Sequence, residues 1–272
     1  MKKVLAINDI SCVGKVSLTT ALPVISGFGS ECSILPTALL SAHTKFETFT
    51  FLDLTEEMKK IIKAWDTMNL EFDAVYSGFL GCSAQVDIVK DVIARYKTAN
   101  NTIVIDPVMG DKGKLYSIYD DRFVSKMKEL VVGADIITPN TTEAHLLTGT
   151  NYRDGFLKKQ YVNDLMKRLK DLGSKNAIMT GIPLSENLIG TTIISETGEI
   201  HNFSRKRYND NFSGTGDVFA SALVGSFLQN DCFVKATEVA VDFVTNSLKI
   251  SGNSTNPKFG LHFEKMLCVN QN

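Results

Sequence analysis

Over 272 residues, 29 Lys and Arg stand against 30 Asp and Glu, a formal net charge of −1 that removes any global electrostatic case for a nucleic acid or an acidic membrane as partner. The five cysteines, Cys12, Cys32, Cys82, Cys232 and Cys268, are odd in number, scattered, and apart from the four histidines, which excludes a disulfide framework and a zinc site. No stretch reaches the ~18 apolar residues of a membrane helix, and the first apolar run stops at Asn8 and Asp9, too soon for a signal core, so a soluble cytoplasmic protein is expected.

Along the chain, residues 4–7 read as a buried strand, 18–28 as a helix and 33–35 as a strand stopped by Pro36. Residues 55–68 read as a helix, with Thr55 as N-cap and Glu56 and Glu57 in its first turn. A strand at 74–76, a helix at 85–96, a strand at 102–105, a helix at 122–130 and a strand at 135–138 follow. A short helix at 142–147 stops at Gly149; a helix at 161–172 and a strand at 177–179 come next. Residues 188–195 and 199–203 alternate around Glu196-Thr-Gly198 and predict a hairpin. Two helices, 218–228 and 233–250, complete the pattern. The strands are near-continuous in apolar residues and alternate with helices. That combination predicts an α/β fold, a doubly wound, mostly parallel sheet with helices on both faces, as one domain over residues 1–272.

Polar residues gather where these strands end: Asn8 and Asp9, Ser77 and Gly78, Asp106, Asn140, Thr180. In open parallel sheets, ligands bind beyond the carboxyl ends of the strands, so five strands deliver polar groups to one edge. The most informative segment is Phe212-Ser-Gly-Thr-Gly-Asp217, which runs into an apolar helical pattern. Gly214 and Gly216 let the backbone approach a ligand closely, and the N–H groups of Gly214, Thr215 and Gly216 would cradle a phosphate at a helix start, with Asp217 beside it as proton acceptor. The same residues also make an ordinary N-cap. Asn140-Thr-Thr-Glu143 likewise reads two ways, as a capping box or as a site where Glu143 holds Mg²⁺, with Asp106 as a second contact through water. Asp106-Pro also forms turns, and Asp111 with Gly110 and Gly113 reads as a flexible, solvated turn. Arg205, Lys206 and Arg207 are a basic cluster that is either a solvated face or a contact for nucleotide phosphates. His43 and Thr44 sit in an irregular polar stretch and are either surface residues or hydrogen-bonding groups for a heteroaromatic ring. Val13-Gly-Lys-Val-Ser17 is not a Walker A loop, because Asp9 and Val16 occupy positions where that loop needs Gly and Ser or Thr. No dinucleotide fingerprint follows the first strand, and no nucleophile elbow occurs.

Taken together, these residues resemble the ribokinase superfamily over essentially the whole chain, and within it the pyridoxal/pyridoxamine (vitamin B6) kinase branch. Asn140-x-x-Glu143 matches the superfamily's metal and phosphate motif, and Gly214-Thr-Gly-Asp217 its anion hole and catalytic base. Ser77-Gly-Phe-Leu-Gly81, Asp106-Pro-Val-Met-Gly110 and His43-Thr44 are similar to the B6 branch. The resemblance implies ATP-dependent phosphorylation of the 5′-hydroxymethyl group of a B6 vitamer. It implies that Asp217 takes the hydroxyl proton and that Gly214, Thr215 and Gly216 stabilise the moving phosphoryl. Asp106, Asn140 and Glu143 would organise Mg²⁺ and phosphate. Thr180, Arg205, Lys206, Arg207 and Tyr208 would face the nucleotide, and Asp9 or Ser11, with His43, Thr44 and Lys45, the pyridine ring. A homodimer and a monovalent cation such as K⁺ belong to the same expectation. Some B6 kinases have Ser near Asp9 and Lys where this chain has Thr180. The rivals are hydroxymethylpyrimidine kinase, a branch that often has Cys at the position of Asp217, and a non-catalytic vitamer-binding regulator, which needs neither Asp217 nor Glu143.

Overall fold

The computed structural model describes residues 1–208, 212–230, 232–252 and 256–268. Its elements in chain order are β1 (Lys3–Ser11), α1 (Leu18–Gly27), β2 (Glu31–Leu40), β3 (Phe51–Asp53), α2 (Thr55–Trp65), β4 (Ala74–Ser77), α3 (Ser83–Tyr96), β5 (Thr102–Ile105), β6 (Gly110–Asp111), β7 (Lys114–Leu115) and α4 (Asp121–Val131). There follow β8 (Ile136–Ile137), α5 (Thr141–Thr148), α6 (Lys159–Lys170), β9 (Asn176–Pro183), β10 (Leu188–Ile194), β11 (Ile200–Lys206), α7 (Thr215–Asn230), α8 (Phe233–Ser251) and α9 (Glu264–Cys268).

Among the described residues the main sheet has nine strands in the order β11-β10-β9-β8-β5-β4-β1-β2-β3. The six central strands pair in parallel, while β3, β10 and β11 add antiparallel edges. This is the doubly wound sheet that the alternating pattern predicts. Side chains alternate across it: Leu5 and Ile7 of β1 join a core with α2 to α6, and Val4 and Ala6 join a second core with α1, α7 and α8. Both faces are dry, which is why the strands read as unbroken apolar runs.

Three local differences from the sequence reading have physical causes. β2 continues through Pro36 instead of stopping there. The β1–β2 register slips at that point, Asn8 pairing with Pro36 and Ile10 with Leu39, so a residue without an N–H is accommodated at an irregularity. Thr55 is not the cap of α2. Leu54 occupies that position, and the Asp53 carboxylate accepts from Thr55 N at 2.7 Å while the Thr55 hydroxyl accepts from Gln85 Nε2 at 3.0 Å. The segment around Asp111 is a hairpin, β6–β7. Lys112 and Gly113 at its tip both have positive φ (51° and 78°), as the tightest two-residue turn requires.

Candidate active site

The parallel strands β1, β4, β5, β8 and β9 are neighbours and end on one edge of the sheet. Their carboxyl ends, the start of α7 and the β10–β11 hairpin enclose a cleft of about 890 Å³. Asp9, Ser11, His43, Thr44, Lys45, Asp106, Asn140, Glu143, Thr180, Arg205, Lys206, Arg207, Tyr208, Gly214, Thr215, Gly216 and Asp217 all line it. Ser77 and Gly78 do not. They lie beneath, where a Cβ at Gly78 would stand 2.3 Å from Asn8 Nδ2, so glycine there lets the Asn8 side chain settle over β4.

At the start of α7, Gly214 has φ +76°, and a Cβ on it would meet the Lys15 carbonyl oxygen at 2.1 Å. No other residue fits. A Cβ on Gly216 meets nothing within 4 Å, so its backbone is open to the cleft. The first bond into the helix is Val218 N to the Gly214 carbonyl at 2.9 Å, which leaves the Thr215 and Gly216 N–H groups ahead of it at the positive end of a 16-residue helix.

Asp217 is half-buried at the same turn and faces the cleft. Burial pushes its carboxyl up to about 6, and Asp9 adds to the rise, while the Ser17 N–H and the Asn8 amide oppose it. The Asn8 Oδ1 accepts from Asp9 N at 3.0 Å and from Phe79 N at 2.8 Å; its buried Nδ2 has no partner of regular geometry and faces the Asp217 charge.

Asp106 follows β5, and its Oδ1 accepts from the Thr138 hydroxyl at 2.9 Å. Burial and then the charge of Asp217 push its carboxyl up to about 7. Glu143 completes a capping box. Its Oε2 accepts from Asn140 N at 2.9 Å and its Oε1 from Met109 N at 3.0 Å, while Asn140 Oδ1 accepts from Thr142 N and Glu143 N. Asn140 Nδ2 donates to the Gly110 carbonyl at 2.9 Å and ties the cap to β6. Burial, then Asp106, hold the Glu143 carboxyl well above the ordinary range despite these donors. The capping reading of Asn140 and Glu143 is therefore realised. It leaves lone pairs on both Glu143 oxygens, since a carboxylate has about four acceptor sites.

Asp106 raises the proton affinity of Glu143, and a hard divalent cation between two such carboxylates offers the same relief as a proton. Among the described residues no three His, Cys, Asp or Glu side chains converge into a cage. An ion held here by Asp106 and Glu143 would keep water and phosphate oxygens as most of its ligands, as Mg²⁺ does.

The other residues contribute differently. His43 is buried; its Nε2 donates to the Lys258 carbonyl at 2.6 Å and its Nδ1 accepts from Lys45 N at 3.2 Å, so the neutral ring fixes the loop that presents the exposed Thr44 and Lys45. Burial lowers its proton affinity accordingly. Thr180 sits beside Asn140 through a parallel bridge, its N–H on the Pro139 carbonyl at 3.0 Å. Arg205 borders the cleft, but its Nε is bonded to Asp242 at 2.6 Å and its Nη2 lies 4.0 Å from Glu238, so it pins β11 to α8. Lys206 lies 5.6 Å from the Tyr208 ring. Sequence reasoning missed Ser17, whose N–H reaches Asp217 and whose hydroxyl reaches Asp9. Its positive φ of 52° carries no sequence signal, although the rejected Walker-like stretch does mark a glycine turn, with Gly14 packed on His43.

A family model described as phosphomethylpyrimidine kinase matches residues 30–262. The pyridoxal kinase of Dictyostelium discoideum is 25% identical over 268 residues, covering 93% of this chain and 87% of that one. A Bacteroides thetaiotaomicron protein assigned to the phosphomethylpyrimidine kinases superposes with a TM-score of 0.94 and 34% identity over 100% of this chain and 94% of that one; a second crystal form of it contains pyridoxal. The pyridoxal kinase from Lactobacillus plantarum superposes with a TM-score of 0.90 and 28% identity, covering 99% of this chain and 96% of that one.

Proposed function

The chain belongs to the phosphomethylpyrimidine kinase family, in its pyridoxal kinase branch, and from that membership we propose that it phosphorylates the 5′-hydroxymethyl group of a vitamin B6 vitamer with ATP. The observation that carries the reading is that the Asp217 turn and the Asn140–Glu143 cap open onto one cleft with Asp106 between their charges. A binding protein has no need of buried, mutually repelling carboxylates. The kinases named for pyridoxal, and the pyridoxal-bound relative, favour a pyridine over a pyrimidine acceptor.

In this reading the acceptor hydroxyl sits against Asp217. Its oxygen attacks the γ-phosphorus, the bond from that phosphorus to the β-phosphate bridging oxygen breaks, and the hydroxyl proton passes to Asp217. The products are the phosphate ester and ADP. A carboxyl near 6 is largely ionised at neutral pH and holds a transferred proton better than an ordinary aspartate. The Gly214, Thr215 and Gly216 N–H groups face the charge that spreads over the phosphoryl oxygens. Asp106, Asn140 and Glu143 orient the phosphates, and Mg²⁺ held by Asp106 and Glu143 would supply charge neutralisation. Thr180, Lys206, Arg207 and Tyr208 contact the nucleotide, Arg205 steadies β11, which leads into Arg207 and Tyr208, and a monovalent cation such as K⁺ assists.

The same reading treats residues 1–272 as one catalytic domain acting in the cytoplasm as a homodimer. Exposed Leu39, Phe49, Phe51 and Leu52 at the β3 edge support the self-association. No helix among the described residues is long and apolar enough to cross a membrane. A coupled ADP-release assay over pyridoxal, pyridoxamine, pyridoxine, hydroxymethylpyrimidine and ribose tests the proposal. Activity confined to hydroxymethylpyrimidine or ribose refutes it.

A further inference from the structure

Asp9 lies at the point where β1 slips against β2 and borders the acceptor end of the cleft. It is distinct from the proton acceptor, and both of its oxygens receive a hydroxyl. The Ser17 hydroxyl donates to its Oδ1, and the Ser11 hydroxyl donates to its Oδ2 at 3.0 Å. Ser11 is fully buried and Ser17 5% exposed, so water does not replace Asp9 as their acceptor. Each carboxylate oxygen keeps a further lone pair.

Among the described residues, the groups that stabilise its charge are those two hydroxyls and its own backbone N–H; no Lys or Arg contributes. Asp217 lies within repelling range. A carboxylate 5% exposed with no cation is a costly arrangement, and burial accordingly drives its proton affinity up. Val16, Leu40 and Phe79 give the cleft apolar walls suited to a flat ring. Asp9 thus offers an aromatic acceptor a buried carboxylate without a cationic partner, apart from the catalytic base.

Resting on the kinase reading above, we propose that Asp9 sets acceptor specificity by selecting an amine-bearing, cationic aromatic alcohol over neutral ones. Among the vitamers that is pyridoxamine, whose aminomethyl group carries a proton at neutral pH. Its ammonium supplies both a positive charge and N–H donors to the free lone pairs, a charge-assisted pairing. The hydroxymethyl group of pyridoxine supplies a neutral donor. The aldehyde oxygen of pyridoxal supplies only an acceptor and faces the anion unfavourably.

The test is kcat/KM for pyridoxamine and pyridoxine, with saturating ATP and Mg²⁺, on the full chain and on its Asp9→Asn and Asp9→Ser variants. The wild-type chain is expected to favour pyridoxamine by about tenfold or more, the usual margin between charged and neutral hydrogen bonds. Both variants should lose most of that ratio. Because the two substrates are compared on one preparation, partial misfolding cancels. Should neither variant fold, calorimetric titration of the wild-type chain with each vitamer decides: equal or weaker binding of pyridoxamine overturns the proposal, and tighter binding of at least tenfold upholds it. A wild-type kinase whose preference survives both substitutions overturns this inference alone. A wild-type chain that phosphorylates no vitamer overturns the kinase reading, and this inference with it.

Discussion

Replacing Asp217 with Asn should disable the enzyme and stabilise the protein at the same time. Burial and Asp9 raise this carboxyl from 3.8 to about 6. A carboxyl whose folded value lies above its unfolded one binds its proton more tightly in the folded state. Its contribution to stability is therefore fully present below the unfolded value and is lost as pH rises through about 6. Roughly two units at 1.36 kcal/mol each give on the order of 3 kcal/mol of destabilisation at pH 8. Asparagine removes the charge and keeps an oxygen for the Ser17 N–H, so part of that, about 1–3 kcal/mol, should be recovered. In a chain of this size the gain corresponds to a Tm rise of roughly 2–10 °C at pH 8, shrinking towards zero near pH 4, where the aspartate is protonated. Turnover should fall about 10²-fold or more, with nucleotide still bound. Thermal unfolding without ligands at both pH values, together with the ADP-release assay, reads both effects. A variant that turns over at a near-normal rate removes Asp217 as the base. One less stable than wild type at pH 8 refutes the electrostatic reasoning even if activity is lost.

The two glycines of the turn should separate. Gly214→Ala forces a Cβ to within 2.1 Å of the Lys15 carbonyl at a positive φ and should cost a few kcal/mol or prevent folding, whereas Gly216→Ala has open space and should fold normally while raising KM for ATP or lowering kcat about tenfold; a fully active Gly216→Ala enzyme takes that N–H out of the phosphate site. Glu143→Gln preserves an acceptor for one of the two N–H groups it serves and removes the charge beside Asp106, so the Mg²⁺ concentration for half-maximal activity should rise severalfold; an unchanged titration leaves Glu143 as a cap alone. With Asp217 near 6 and Asp106 near 7, kcat/KM should decline as pH falls from 7 to 5, and a profile flat down to pH 5 would show that neither free carboxylate matters.

The sequence disclosed most of this site because its chemistry sits at strand ends. A strand buried on both faces is an apolar run, so the polar residues at which the run stops mark the carboxyl edge of the sheet: Asp106 after β5, Thr138 and Asn140 after β8, Thr180 where the apolar run of β9 is interrupted. What was illegible depends on distance in the sequence. Ser17 reaches Asp217 across 200 residues, and Arg205 reaches Asp242 across 37; neither pairing leaves a periodic trace, and the second turns an apparent phosphate ligand into an anchor for β11. A different limit, shortness, hid β3, β6, β7 and α9, elements of two to five residues that are too brief to show a period. Thr55 shows the local version of the problem, since the Asp53 carboxylate takes the Thr55 N–H from two residues upstream and the Thr55 hydroxyl serves Gln85 instead of a helix N–H.

One electrostatic imbalance links the fold to the reaction. Asp9, Asp106, Glu143 and Asp217 border a single cleft, and each is held above its ordinary proton affinity first by burial; three of them are also raised by a neighbour among the four, Asp106 by Asp217, Glu143 by Asp106 and Asp217 by Asp9. No Lys or Arg among the described residues figures in holding their charges, and Arg205 at the cleft border is paired on α8. Such an arrangement destabilises the empty fold near neutral pH and would not persist in a protein selected for stability alone. It becomes favourable once the missing positive charge comes with the ligands: a divalent ion with the nucleotide at Asp106 and Glu143, an ammonium on the acceptor at Asp9. Ligand binding should therefore stabilise the chain more at pH 8 than at pH 5, and nucleotide with Mg²⁺ should do so more than nucleotide alone. If thermal shifts were equal at the two pH values and indifferent to Mg²⁺, the carboxylates would be structural, and the cleft would have to be explained without them.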